Sequence, residues 1–499
     1  MLQHYFECTF LRTLGRLDKL FYPFYIKENK EYARQLFVDY FYEFNSKKII
    51  ANTPFALGGT DTDGNSLINE LSYEILDIYK NSHLPDMKFH LLCSDNTPED
   101  IIRQALYTVR EGNNSIVFMS DSKIIESLKK IGAKYEDAVN YHIVGCYECG
   151  SVNELTCSCN ARVNLPKALE LALNNGRDMI TDKLIGLECK SEYVSFEELY
   201  SSFLHQVRYL SKCAMKVTEI YEANYKYIHA APILSAAYTS AMENGGDLYC
   251  DYSAKYNNSS VNALGLATAV DSLAAIKKLI FEDKTVSLNE FINILKSNWE
   301  CMEPLRLTIK NKFSKFGVGD KKTDVFAKEI VDVLADEING TPNAKGGVYR
   351  LGLFSIDWRW DFSKKTAASA NGRYSGETLS QNASASFGAD KEGATAHLIS
   401  VTAIDASNTP NATIVDIDLH SSAVKGENGL NTLVASLKTY FELGGFAVHY
   451  NILDTAILQD AKLNPEKYPS LQVRLCGWNV LFSSLSEKEK DEFIARSMK

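Results

Sequence analysis

The 499-residue sequence lacks the positive charge that nucleic-acid or anionic-membrane binding requires. Its 53 Lys and Arg stand against 63 Asp and Glu, a formal net charge of −10, whereas both partners select for basic patches. It lacks an uninterrupted apolar run long enough to cross a bilayer. Its opening, MLQHYFECTFLRTLGRLDK, lacks the charged front and clean apolar block of a signal peptide, which predicts a cytoplasmic location. It shows no internal repeat and no low-complexity tract. Its eleven cysteines are odd in number and carry no export signal, so a disulfide scaffold is not expected and most of them read as ordinary buried thiols.

What is present is the composition of a large globular protein: 45% hydrophobic, 23% charged and 11% aromatic, in a chain long enough for two or more domains. Helical and strand-like segments alternate over the first two-thirds. TPEDIIRQALYTVREG predicts a helix capped by Thr97, with Pro98 in the first turn and Gly112 at the exit. NSIVFMSD predicts a short buried strand, DSKIIESLKKIG a helix ending at Gly132, and VNYHIVGCYE the next strand. NLPKALELALNNG is a helix ended by Asn175-Gly176. DSLAAIKKLIFED and SLNEFINILKSNWE follow as amphipathic helices, the second with Ser287 and Glu290 as a capping box. Such alternation argues for an α/β architecture with parallel strands.

The character changes after about residue 360. FSKKTAASANGRYSGETLSQNASASFGADKEGATA, rich in Ser, Ala, Gly and Asn, reads as a long loop region. A helix (LNTLVASLKTYFELGG), a strand (FAVHYNIL) and a charged C-terminal helix (SEKEKDEFIARSMK) come after it. A domain boundary is expected near residues 362–376.

Two short stretches carry chemistry. In VGCYECG (Val144–Gly150), a buried strand gives way to a loop, the end at which α/β folds present reactive groups. Cys146 and Glu148 are two apart, so on an extended strand they face the same side. A thiol exchanges a hydrogen atom and a carboxylate moves a proton. Taken alone, Cys146 is more commonly a buried structural cysteine. The second stretch is VRLCGWNVLF (Val473–Phe482), which reads as a buried strand except for Gly477. Glycine weakens a strand, and an isolated one usually marks a tight bend. It is also the residue whose α-carbon, on losing hydrogen, leaves a planar radical delocalised by the adjacent amide and carbonyl with no side chain to strain it.

Together, VGCYE and VRLCGWNVLFSSL resemble the two signatures of the glycyl radical enzymes, the superfamily of pyruvate formate-lyase and the glycyl radical dehydratases. Arg474, Gly477, Trp478, Phe482, Leu485 and Arg496 fill the places of the family's C-terminal pattern, with Trp478 where tyrosine is usual. LGRLDKLFYPFY, LGGTDTDGNSLINELSYEILD, IVFMSDSKIIESLKKIGAKYEDAVNY, KYNNSSVNALGLATAVDSLAAIKKLI and NGRYSGETLS resemble further family blocks, in the same order. The resemblance implies a ten-stranded α/β barrel of two antiparallel five-stranded halves, inside which the Cys and Gly loops meet. It divides the chain into residues 1–365, the pyruvate formate-lyase-like barrel domain with the Cys loop, and 366–499, the glycine radical domain. It implies a radical-SAM activating enzyme with an iron–sulfur cluster as partner and no bound cofactor beyond the glycyl radical modification at Gly477. Cys146 would carry the thiyl radical, and Glu148 would act as base in an elimination from a small hydroxylated substrate. Oxygen would cleave the chain at the radical glycine, which fits anaerobic life.

Two features qualify that implication. Tyr147 stands where pyruvate formate-lyase has a second adjacent cysteine, so acetyl transfer of the formate C-acetyltransferase kind is disfavoured, while Cys-x-Glu resembles the dehydratase and lyase branch. Cys149 takes a place where many relatives have proline. Family chains also carry a long part before the segment resembling LGRLDKLFYPFY, so the first half-barrel is expected to be largely missing here. The chain then pairs with that half, forms a homodimer, or is an inactive fragment. A reading of another class takes Cys146, Cys149, Cys157 and Cys159 as a C-x2-C-x7-C-x-C metal-binding module. Asp121, His142, Asn160 and His449 are candidates to line the cavity, and Asp271 and Arg373 sit in family blocks where bracing explains them equally well.

Overall fold

The computed structural model describes residues 13–46, 54–82, 88–155, 159–190, 192–228, 230–355, 358–475 and 477–497. Twelve strands alternate with helices: β1 (Phe55–Gly58), β2 (Phe89–Cys93), β3 (Ile116–Ser120), β4 (His142–Val144), β5 (Glu148–Gly150), β6 (Ala161–Asn164), β7 (Ser259–Leu264), β8 (Tyr349–Leu353), β9 (Ala412–His420), β10 (Ala447–Leu453), β11 (Gln472–Leu475) and β12 (Trp478–Leu481). Eight of them form one sheet in the order β1-β2-β3-β10-β9-β8-β7-β6. β1-β2-β3 are mutually parallel, β10 through β6 are mutually parallel, and the two sets meet antiparallel at β3 and β10. The expected α/β architecture of two opposed parallel sets is present. Among the described residues it is an eight-stranded sheet, with three strands in the first set and five in the second.

The strands of the sheet are buried at nearly every position because both faces are covered. On one face, Phe55, Leu57, Phe89, Leu91, Ile116, Phe118, Val448 and Tyr450 pack against helices. On the other, Ala56, Leu92, Val117, Met119, Ile414 and Ala447 pack against Tyr141, Ile143, Cys146, Tyr147 and Cys149. The hairpin of β4 and β5 therefore lies on the sheet face opposite the main helical layer. A separate small core of Leu453, Leu458, Ala461, Val473, Phe482, Leu485, Phe493 and Ile494 joins the hairpin of β11 and β12 to the last two helices.

Helix ends follow the sequence signals closely. The helix Leu165–Leu173 starts at Asn164, whose side chain accepts from the Lys167 amide, and Ser287 accepts from the Glu290 amide at the start of Leu288–Lys296. Gly112 and Gly132 adopt positive φ just past their helices. Thr97 does not cap. The helix Glu99–Arg110 has Pro98 at its N-cap position, and the Thr97 hydroxyl instead accepts from the Ser94 amide. Residues 365–392 hold no helix or strand beyond an isolated bridge between Ser369 and Arg373. Arg373 orders this loop by donating to the carbonyls of Thr366, Tyr374 and Glu377, and Asp271 braces its far end by accepting from the Phe316 amide and the Ser386 hydroxyl.

Candidate active site

Two hairpin tips meet on the sheet. VNYHIVGCYE is not one strand: Val144 pairs with Glu148 and His142 with Gly150 across a turn at residues 145–147. Cys146 therefore sits in a turn, and the argument that it shares one side of a strand with Glu148 fails. Proximity comes from the turn instead. Gly145 has φ +62°, and a Cβ there would lie 3.0 Å from Glu148 Oε2, so glycine lets the carboxylate fold back over the turn, where Oε2 accepts from the Tyr147 amide at 2.8 Å. VRLCGWNVLF is likewise a hairpin, with Leu475 paired to Trp478 and Gly477 at the tip beside Cys476, which lies outside the described residues.

The tips are in contact. Gly477 has φ +114°, and a Cβ built on it would lie 2.6 Å from Cys146 Sγ and 2.7 Å from Cys146 Cβ. One C–C bond is about 1.5 Å, so Gly477 Cα is no more than about 4.1 Å from the sulfur. Cys146 and Glu148 are fully buried. Residues 146 and 477, 331 positions apart, are brought together as the sequence reading expected.

Buried polar groups fix both tips. The buried Lys88 ammonium is 3.8 Å from Cys146 Sγ. The His90 Nε2–H donates to the Cys146 carbonyl at 2.9 Å, an acceptor that sets the tautomer. Burial, with Arg474 and Lys88 nearby, pushes His90 down to about 3, so its ring is neutral at physiological pH. Arg474 donates to the Gly477 carbonyl at 3.2 Å and the Ser115 carbonyl at 3.4 Å, and its guanidinium carbon is 5.6 Å from the centre of the Tyr147 ring. One side chain thus reaches from the glycine tip to the cysteine tip.

Sheet register supplies the floor. Ala56, His90, Val117, His449 and Asp416 are aligned partners across β1, β2, β3, β10 and β9. His449 Nε2–H donates to the Asn114 carbonyl at 2.7 Å, and its Nδ1 is 3.5 Å from Asp416 Oδ1. Burial opposes ionisation of Asp416, yet His449, Arg496 and Arg474 hold it down at about 2. This polar row has a sequence signal: Lys88 and His90, His449 and Asn451, and Asp416 and Asp418 alternate with apolar residues, a period of two that marks one sheet face.

The other candidates divide. His142 and Asn160 are half-buried, as are Val144, Cys159 and Arg162. Burial lowers the Arg162 guanidinium, which Cys159 and Glu148 oppose. Burial, with Arg350 and Arg16, pushes His142 down to about 4. Asn160 is held by the Ser260 amide and Glu222. Asp121 accepts from the Thr60 and Tyr141 hydroxyls and lines a different cleft, with Thr60, Ser94 and Lys130. Of the four-cysteine set, Cys157 lies outside the described residues and the other three have separate partners: Cys146 faces Gly477, Cys149 donates to the Tyr147 carbonyl, and Cys159 accepts from Asn262. Among the described residues no three His, Cys, Asp or Glu side chains are grouped to hold a metal ion, and no helix is long and apolar enough to cross a membrane.

Comparison with known proteins agrees with this geometry. The pyruvate formate lyase-like family model matches residues 10–360, and the glycine radical model matches residues 379–483. The chain is 30% identical to trans-4-hydroxy-L-proline dehydratase of Clostridioides difficile, over 97% of its own length and 64% of that protein's. Its fold superposes on a glycyl radical enzyme from Archaeoglobus fulgidus with TM-score 0.93 at 28% identity, covering 99% of this chain and 66% of that one. It superposes on the glycerol-bound B12-independent glycerol dehydratase from Clostridium butyricum with TM-score 0.91 at 29% identity, covering 96% and 63%. The chain thus spans less than two-thirds of the length of these relatives. It belongs to the pyruvate formate lyase-like family and carries that family's glycine radical domain.

Proposed function

We propose that the chain serves a glycyl radical lyase of the dehydratase type, with Gly477 as radical store, Cys146 as hydrogen-atom carrier and Glu148 as base. The observation that carries this reading is the contact of Cys146 Sγ with the one face of residue 477 that a side chain would fill. A radical-SAM activating enzyme removes a hydrogen atom from Gly477 Cα. The α-carbon then takes the hydrogen of the Cys146 S–H, leaving a thiyl radical. On a vicinal diol or similar small hydroxylated substrate, the thiyl takes the hydrogen from a hydroxyl-bearing carbon. Glu148 accepts that hydroxyl's proton, the neighbouring C–O bond breaks, and Glu148 returns the proton to the departing hydroxide, which leaves as water. The product radical recovers a hydrogen atom from Cys146, and Cys146 recovers its own from Gly477. Burial of both tips excludes water and oxygen from the radical.

The working protein is a cytoplasmic assembly in which this chain pairs with a further N-terminal half-barrel or with a second copy, and residues 1–365 and 366–499 act as barrel and radical domains. The dehydratase names of the two relatives above, and Tyr147 in place of a second cysteine, favour elimination over acetyl transfer. The test is anaerobic activation followed by electron paramagnetic resonance, with the chain alone and with the polypeptide encoded just upstream. A doublet from the single Gly477 α-hydrogen is expected in wild type and in Glu148→Gln, with 1,2-diol or hydroxyproline turnover lost in the variant. No doublet under either condition overturns the radical assignment, and full turnover by Glu148→Gln overturns the base.

A further inference from the structure

A second site lies away from the two hairpin tips. A cleft of about 530 Å³ is lined by Asp271, Lys310, Lys315 and Lys391, and extends to Asp418 and Arg496. Cys146, Glu148 and Gly477 do not line it. Lys315 sits in the turn between the helices Glu303–Lys312 and Lys321–Ile338. It is only 6% exposed, and its Nζ has no hydrogen-bond partner among the described residues. A buried ammonium without a partner is costly and persists where something compensates it.

The surrounding charge compensates it only in part. The groups that act on Lys315 are Asp271, Lys310 and Lys391. Asp271 is committed elsewhere, accepting from the Phe316 amide at 2.8 Å and the Ser386 hydroxyl at 2.5 Å. Lys310 and Lys391 are exposed at the mouth, and Lys391 is anchored towards the same spot by Asn311 at 3.4 Å. Three ammonium groups thus converge around Asp271, in a cleft whose lining also includes Glu377, Asp390, Asp416, Asp418 and Glu492. Burial lowers Lys315 from its ordinary value; Asp271 opposes this, and Lys310 and Lys391 add to it.

We infer that this cleft binds a small molecule through a phosphate or equivalent dianionic oxyanion seated on Lys315, Lys310 and Lys391. Lysines act as point charges that suit a compact polyanion, and the volume is that of a small-molecule site and not of a bare ion. The cleft shares Asp416 with the polar floor beneath the hairpin tips, but the three lysines take no part in the radical chemistry proposed above.

The test uses inorganic phosphate as probe, with thermal unfolding and calorimetric titration of the full chain against sodium chloride at matched ionic strength. Wild type should gain melting temperature with phosphate beyond the chloride control. Lys315→Met should lose that gain while being at least as stable as wild type without phosphate. Lys310→Gln/Lys391→Gln, which alters only exposed positions, should bind about tenfold more weakly or worse, and keeps the test open should Lys315→Met fail to fold. A response no larger than that to chloride, or undiminished phosphate binding by either variant, overturns the inference.

Discussion

Cys146 Sγ occupies the space that any side chain at position 477 would need, 2.6 Å from where its Cβ would lie. Two costs therefore fall on Gly477→Ala before any radical is formed. The backbone at φ +114° is strained for an L-residue, by roughly 1–3 kcal/mol, and the methyl group meets a buried sulfur that has little room to yield. Unactivated Gly477→Ala should unfold at lower temperature than wild type. Adding Cys146→Gly, which removes the two nearest atoms and leaves Tyr147 Cε2 at 3.3 Å, should recover part of the loss in a double-mutant cycle. Additive effects of the two substitutions would mean that the tips do not touch in solution.

Lys88 bears on the same thiol, at 3.8 Å. Its charged contact holds Sγ in one orientation, turned to Gly477, so it is a positioning residue. Under the proposed radical roles, hydrogen passed between Gly477 Cα and the thiol should be replaced by deuterium in activated protein placed in D2O, and the glycyl doublet should collapse. Lys88→Met should slow that collapse without lowering the initial doublet, and Lys88→Arg should restore much of the rate. An unchanged collapse rate in Lys88→Met would remove Lys88 from this role.

Much of this site was legible in the sequence, for reasons that also explain what was not. Helices such as Leu165–Leu173 announce themselves by local signals, since Asn164 and Pro166 act within one turn of the chain. The pairing of Gly477 with Cys146 was legible only through resemblance, because no local property links residues 331 positions apart. The two hairpins read as single strands because their apolar residues satisfy strand patterns on both sides of the turn. What breaks them is a positive φ, +62° at Gly145 and +114° at Gly477, which a glycine permits but does not require. Lys88 and His90 escaped because a lysine in an apolar run suggests a strand end. Only sheet register turns Lys88, His90, His449 and Asp416 into one polar floor.

Asp18 gives the fold a pH dependence with a definite sign. Burial raises its carboxyl to about 6 in the folded protein, although the Ser72 hydroxyl and the Gly58 and Lys19 amides pull it down. The folded value lies above the unfolded value of 3.8, so between these the native state binds more protons than the unfolded chain. Stability from this group is therefore largest below about pH 4 and falls as pH rises to about 6, by about 3 kcal/mol at most. Asp18→Asn should flatten the wild-type decline in melting temperature across that window. An equally steep decline in the variant would place the titrating group elsewhere.

The hairpin of β11 and β12 packs with the last helix, Glu487–Ser497, and that helix is pinned to the sheet. Arg496 Nε and Nη2 donate to the two oxygens of Asp418 on β9, at 2.9 and 3.0 Å, both side chains being nearly buried. Asn451 on β10 donates to the same carboxylate at 2.9 Å. The fork is planar and bidentate, which lysine does not reproduce. Removing one partner of a buried pair costs about 3–5 kcal/mol because the other charge is left uncompensated. Here that cost falls on the docking of the C-terminal segment, since the packing of Val473, Phe482, Leu485, Phe493 and Ile494 among themselves does not depend on the pair. Arg496→Met should therefore speed amide hydrogen exchange in β11, β12 and the last helix while leaving β2 and β3 protected, and Arg496→Lys should correct this only in part. Uniform loss of protection across the chain would mean that the pair holds the whole fold and not the docking of the glycine tip against Cys146.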